Sequence, residues 1–120
     1  MADSIEKAAI EQELSEIPGK IEAKALEVRE ARKTYKIAKA TYENKVAEVL
    51  LKEKLMNPDA TQTDVKATAT VASIELRFKM IEMQSQYEAK QAEYQRLRDD
   101  LTALEQRSNN YRAELKALRG

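Results

Sequence analysis

The sequence predicts an all-α fold, an antiparallel helical hairpin whose long coiled-coil helices self-assemble into a ring or bundle. Three observations carry this expectation. The first is a run of alternating four- and three-residue steps: Leu76, Met80, Met83, Tyr87, Lys90, Tyr94, Leu97, Leu101, Leu104, Ser108, Tyr111, Leu115 and Leu118. Only Lys90 and Ser108 interrupt its apolar or tyrosine character, and a 3.5-residue repeat marks a helix wound against other helices. The second is the scarcity of breakers, two Gly and two Pro in 120 residues, with none between Pro58 and Gly120. The third is a second repeat, in which Ile21, Val28, Tyr35, Tyr42, Val49 and Met56 recur every seven residues.

Each element follows in chain order within a single helical domain, residues 1–120. Residues 3–17 read as a short acidic amphipathic helix, N-capped by Asp3 or Ser4, with Ile5, Ala9, Ile10, Leu14 and Ile17 on one face. Pro18-Gly19 punctuates the chain and starts a new helix, a kinked continuation being the alternative. That helix, residues 20–56, carries the seven-residue line, flanked by Ala25, Ala31, Ala38, Val46 and Leu50. Lys24, Lys45 and Lys52 fall on the same flank, where a lysine usually packs its stem and keeps its ammonium in water. Residues 57–62 form the turn, with Asn57 closing the helix in a left-handed conformation and Pro58 forbidding its continuation. Thr61 and Asp64 have the spacing of a capping box, opening a helix over residues 63–119. Val65, Ala69 and Ala72 lead in phase into the long seam, although the Thr- and Val-rich stretch lowers helix propensity.

Folding the chain back at about residue 59 sets residues whose numbers sum to about 119 opposite each other: Met56 with Thr63, Tyr42 with Arg77, Tyr35 with Gln84 and Ile21 with Arg98. One hairpin leaves Tyr, Met and Leu positions unburied, so further copies of the chain are the expected partners.

Composition bounds the chemistry. Apolar residues make up 42 % and charged residues 35 %, with no Trp and one Phe, Phe78. The chain lacks Cys, which excludes disulfides and thiol chemistry, and lacks His, the commonest general base and metal ligand. No nucleophile–base pair, Gly-rich phosphate loop or carboxylate–histidine set is present, so the expectation is a non-enzyme without cofactor or metal. Asp99, Asp100 and Glu105 form an acidic cluster that reads as solvated or paired with Arg96 and Arg98. No apolar run approaches the roughly 20 residues of a membrane span, and the start of the chain is unlike a signal peptide. The expectation is a cytoplasmic protein without a membrane partner.

A net charge of zero hides an asymmetry. Residues 1–17 hold five acids against Lys7, whereas residues 29–54 hold Arg29, Arg32, Lys33, Lys36, Lys39, Lys45, Lys52 and Lys54 against four acids. Arg29 to Lys39 advance by steps that place most of them on one exposed stripe. Two readings stand: a solvated face that balances the acidic segment, even between subunits, and a phosphate-binding track repeated by each subunit of a ring, with tyrosines available for stacking. Tyr35 and Tyr42 lie on the seam, so their default role is packing.

At Val49-Leu50-Leu51-Lys52-Glu53-Lys54-Leu55 the chain resembles the UvsY family of phage recombination mediators, in a Val-x-Leu-Lys-x-basic-Leu run that ends the first long helix. A second stretch, Leu101-Thr102-Ala103-Leu104-Glu105-Gln106-Arg107 with Tyr111-Arg112 beyond it, is similar to the family's C-terminal helix. Together with the order of the helices, the resemblance covers about residues 20–118. Met56-Asn57 follow the first motif where the family has a glycine-rich, aromatic tip. The resemblance implies a ring-like homo-oligomer that binds single-stranded DNA, helps displace single-strand-binding protein and loads a RecA-like recombinase, in the host cytoplasm for a phage-encoded chain. It places the DNA-contacting basic pair on Lys52 and Lys54; Lys45 and Arg29 to Lys39 are added from charge alone. The other function class is a structural scaffold, assembly chaperone or inhibitor that acts through the seam.

Overall fold

The computed structural model describes residues 2–119, with side chains from residue 5 onward. Three helices account for nearly all of it: α1 (Ala2–Met56), α2 (Gln62–Ala72) and α3 (Ile74–Arg119). The chain forms two compact units, one of residues 1–28 with 90–120 and one of residues 29–89.

In the first unit the N-terminal half of α1 pairs antiparallel with the C-terminal half of α3. Glu6 meets Arg107 at 3.5 Å and Lys24 meets Glu93 at 2.8 Å, so contacts run in opposite directions along the two helices. Among the described residues of this unit, Ile10, Ile17 and Leu104 are buried. In the second unit the remainder of α1 folds back through the turn onto α2 and the start of α3. Ala38, Val65, Ala69 and Ser73 are buried there, and the Tyr35 and Tyr87 rings stack with centroids 6.1 Å apart. The Lys24–Glu93 and Tyr35–Tyr87 pairs straddle the expected register, Tyr87 lying three residues, about one turn, beyond Gln84, the expected partner of Tyr35.

The C-terminal seam behaves as its spacing requires. Twelve of its thirteen positions are buried or half-buried, and only Leu118, at 84 % exposure, is not. The seven-residue line of α1 also turns inward, from Ile21 to Val49. Met56 departs from it, because α1 ends there and its side chain is left in solvent at the turn.

Three boundaries differ from the sequence expectation. Pro18 lies inside α1 and does not separate a 3–17 helix from a 20–56 helix. The inward line Ile10, Leu14, Ile17, Ile21 keeps its four- and three-residue steps across the proline, so packing against α3 holds the helix together. Pro18 and Gly19 both face solvent, where water can serve the carbonyl that proline's missing N–H leaves unpaired. Second, Asn57 does not adopt a left-handed conformation, for no non-glycine residue among those described has positive φ. Instead the Asn57 N–H donates to the Glu53 carbonyl at 2.8 Å, and its side-chain amide donates to the Glu53 carboxylate at 3.1 Å. Third, the helix after the turn starts at Gln62 and is interrupted at Ser73. The Ser73 hydroxyl, 1 % exposed, donates to the Ala69 carbonyl at 2.6 Å. This competition with the backbone ladder loosens the helix locally, and Ser73 sits at φ −109°, ψ 7°. Thr61 caps α2 as its spacing predicts, its hydroxyl accepting from the Asp64 N–H at 3.2 Å. The expected Asp3 or Ser4 cap lies outside the described side chains.

Candidate nucleic-acid interface

All eight bases singled out from the sequence lie on the α1 segment of the second unit. Turning about 100° per residue, a helix places Arg29, Lys33, Lys36 and Lys54 within about 60° of one another, on the side directed away from α2 and α3. Arg32 and Lys39 fall along one edge of that face, whereas Lys45 and Lys52 lie about 100–120° around the helix from its nearest member, toward the seam. The structure therefore does not bring the eight together as one stripe. Lys45 is half-buried beside the seam, whereas the other seven are exposed. Lys52 and Lys54 diverge by about 200°, as their two-residue spacing dictates.

Ion pairs engage four of the ten basic side chains of the first unit. There Lys7 pairs with Glu11, Lys24 with Glu27 and Glu93, Lys90 with Glu27, and Arg107 with Glu6. Within the second unit, none of the eight makes an ion pair among the described residues. Their ammonium and guanidinium groups have no carboxylate within ion-pair distance to displace, and all but that of the half-buried Lys45 belong to exposed residues.

The turn adds a cleft of about 390 Å³, lined by Leu50, Lys54, Pro58, Gln62, Val65 and Lys66. Two ammonium-bearing side chains, Lys54 and Lys66, share its lining with apolar Leu50, Pro58 and Val65. The charge pattern of the sequence does not point to Lys66, because it sits on α2, beyond the basic run. Only the fold-back at the turn brings it to the same cleft as Lys54. Tyr35 and Tyr42 are half-buried, and stacking of Tyr35 on Tyr87 commits that ring to the hairpin.

The other charged groups have local explanations. Lys24 is held above its ordinary pKa of 10.5 by hydrogen bonds from its ammonium to Glu27 and Glu93, against a smaller opposing effect of desolvation. Glu27 and Glu93 are both held below 4.5, chiefly by those same bonds from Lys24. Lys90, which interrupts the apolar seam, completes this cluster at 3.5 Å from Glu27. Asp99 accepts a hydrogen bond from Gln95 at 3.0 Å, and Arg98 stacks over the Tyr94 ring at 5.8 Å. Among the described residues no group of three or more acidic side chains is arranged to hold a metal ion. No helix among them is long and apolar enough to cross a membrane.

A second feature is absent from the sequence expectation. Val71, Ile74, Phe78 and Ile81 are exposed apolar side chains on α2 and α3 of the second unit. Their three-, four- and three-residue steps run along the face turned away from the main seam, and that spacing is the signal that could have found them. No protein-family model, no curated protein and no solved structure matches the chain.

Proposed function

We propose that this chain is a non-enzymatic recombination mediator that self-assembles, binds single-stranded DNA through the basic face of its second unit and assists the loading of a RecA-like recombinase. The observation that carries the DNA-binding part is that the eight bases make no ion pair among the described residues and seven of them are exposed, four on one outward face of α1. Unpaired, solvated cations release counterions from a phosphate backbone without first breaking internal salt bridges. Lys54 and Lys66 beside the apolar side chains of Leu50, Pro58 and Val65 suit an unstacked nucleotide, which offers a phosphate and a base face together. The mediator role, with single-strand-binding protein displaced and a recombinase loaded, rests on the resemblance to the UvsY family at residues 49–55 and 101–112.

Fluorescence anisotropy of a labelled single-stranded oligonucleotide, titrated across a salt series beside the same strand as duplex, tests the reading. Preference for the single strand, with affinity falling steeply as salt rises, is the expected result. Absence of binding at low salt by folded protein would leave the other function class, a scaffold working through protein contacts. The exposed apolar stripe from Val71 to Ile81 favours that class independently.

A further inference from the structure

Val71, Ile74, Phe78 and Ile81 are 72 %, 42 %, 62 % and 43 % exposed. Scattered apolar residues on a surface need no explanation. These four share one register over three helical turns and include the only Phe of the chain. At about 100° per residue, the α3 members lie roughly 160° around the helix from Leu76, Met80, Met83 and Tyr87, which face α1. Pairing with α1 therefore leaves the stripe in water. Its spacing is that of the a and d positions of a heptad, the pattern that packs against another helix.

We propose that this stripe is a seam between copies of the chain, with α2–α3 of one copy packed parallel and in register against the same segment of a second copy. The flanking charges select both occupant and direction. With Val71 and Phe78 at a, and Ile74 and Ile81 at d, Glu75 and Glu82 occupy e positions and Arg77 a g position. In a parallel pair a g residue meets the e residue of the next heptad on the facing helix. Arg77 then meets the second copy's Glu82, and symmetry supplies the same contact twice. An antiparallel pairing would set Arg77 near Arg77 and Glu75 near Glu75. Arg77 and Glu82 are both exposed and free of ion pairs among the described residues, so both are available. The seam is short, about 15 Å, which makes assembly through it dependent on protein concentration. It leaves the outward face of α1, with Arg29, Lys33 and Lys36, open to a ligand.

This inference rests on the self-assembly part of the function proposed above, and names the surface. The absence of cysteine from the chain allows single-cysteine reporters. In the whole chain, Ile74→Cys and Phe78→Cys should each form a self-disulfide under mild oxidation far faster than Gln86→Cys, an exposed control off the stripe. In sedimentation velocity, Phe78→Glu should lose the assembled species while its circular dichroism stays helical. Arg77→Glu should weaken assembly, and Arg77→Glu combined with Glu82→Arg should restore it. Crosslinking at 74 no faster than at 86 overturns the interface, and it does so independently of whether Phe78→Glu folds. An assembled mass without that crosslink removes this surface but leaves self-assembly standing. Crosslinking confined to a mixture of Val71→Cys and Ile81→Cys chains overturns the parallel orientation.

Discussion

Lys24 Nζ lies 2.8 Å from a Glu93 oxygen, joining residues 69 positions apart in the chain. The same ammonium is 2.7 Å from Glu27, and Lys90 closes the group from α3. Lys90, which interrupts the C-terminal seam, and Lys24, which flanks the seven-residue line of α1, are thus members of one charged cluster that ties α1 to α3. Such a cluster specifies register, because a slip of one turn would part the charges. The charge reversal Lys24→Glu is expected to lower the thermal midpoint by a few degrees, and adding Glu93→Lys to recover part of that loss. A double-mutant cycle followed by circular dichroism measures the coupling.

The same cluster sets a pH dependence. The folded carboxyls of Glu27 and Glu93 titrate below 4.5, so their contribution is present above that value and is lost as pH falls through their lowered values. Lys24 titrates above 10.5, so its contribution persists through neutral pH and disappears only as pH rises through the raised value. Urea midpoints should fall as pH drops from neutral into the acid range below 4.5, and Glu93→Gln should flatten that fall.

Pro18 and Gly19 are the least helical residues of α1, yet α1 runs through them. A Cβ added at Gly19 meets nothing within 4 Å. Gly19→Ala should therefore stabilise the chain by about 0.5–1 kcal/mol, the usual cost of glycine in a helix. Pro18→Ala should stabilise it further by restoring the missing backbone donor. Chemical denaturation of both variants checks the sign, and destabilisation by either would show that the native residue is needed for packing at this point.

Stacking of Tyr35 on Tyr87, nearly parallel at 10°, joins α1 to α3 across the hairpin of the second unit. A cycle of Tyr35→Leu and Tyr87→Leu should give a coupling of about 0.5–1.5 kcal/mol beyond simple burial. In the first unit Leu104, 6 % exposed, is packed tightly enough that Leu104→Ala should cost about 2 kcal/mol, near the lower end for buried leucine because a two-helix core relaxes readily.

For nucleic acid, the placement of the bases makes a graded prediction. Arg29→Ala, Lys33→Ala and Lys36→Ala together remove one continuous part of the outward face of α1. They should reduce the salt slope of single-strand binding by about 0.7 for each phosphate no longer neutralised. Lys52→Ala with Lys54→Ala should weaken binding while leaving the sedimentation profile unchanged; loss of assembly instead would mark those residues as interface. Lys45→Ala, removing a half-buried base beside the seam, should matter least to binding.

The sequence by itself determined the helical class, the turn after Met56, the Thr61 cap and the inward-facing seam from Leu76 to Leu115, because each is written in spacing or in local backbone chemistry. It also determined which residues carry the positive charge. Tertiary structure decided what local rules could not. Packing of Ile10, Leu14, Ile17 and Ile21 against α3 overrides the proline signal at 18, since the inward line gains more from continuity than the one missing hydrogen bond costs. Burial of Ser73 turns a weak helix former into a break between α2 and α3. The fold-back brings Lys66 to Lys54 and Lys24 to Glu93, distant pairings that no local period encodes. It also sets which apolar stripe α1 covers, leaving Val71, Ile74, Phe78 and Ile81 in solvent, because a helix in a two-helix pair can bury only one of its faces.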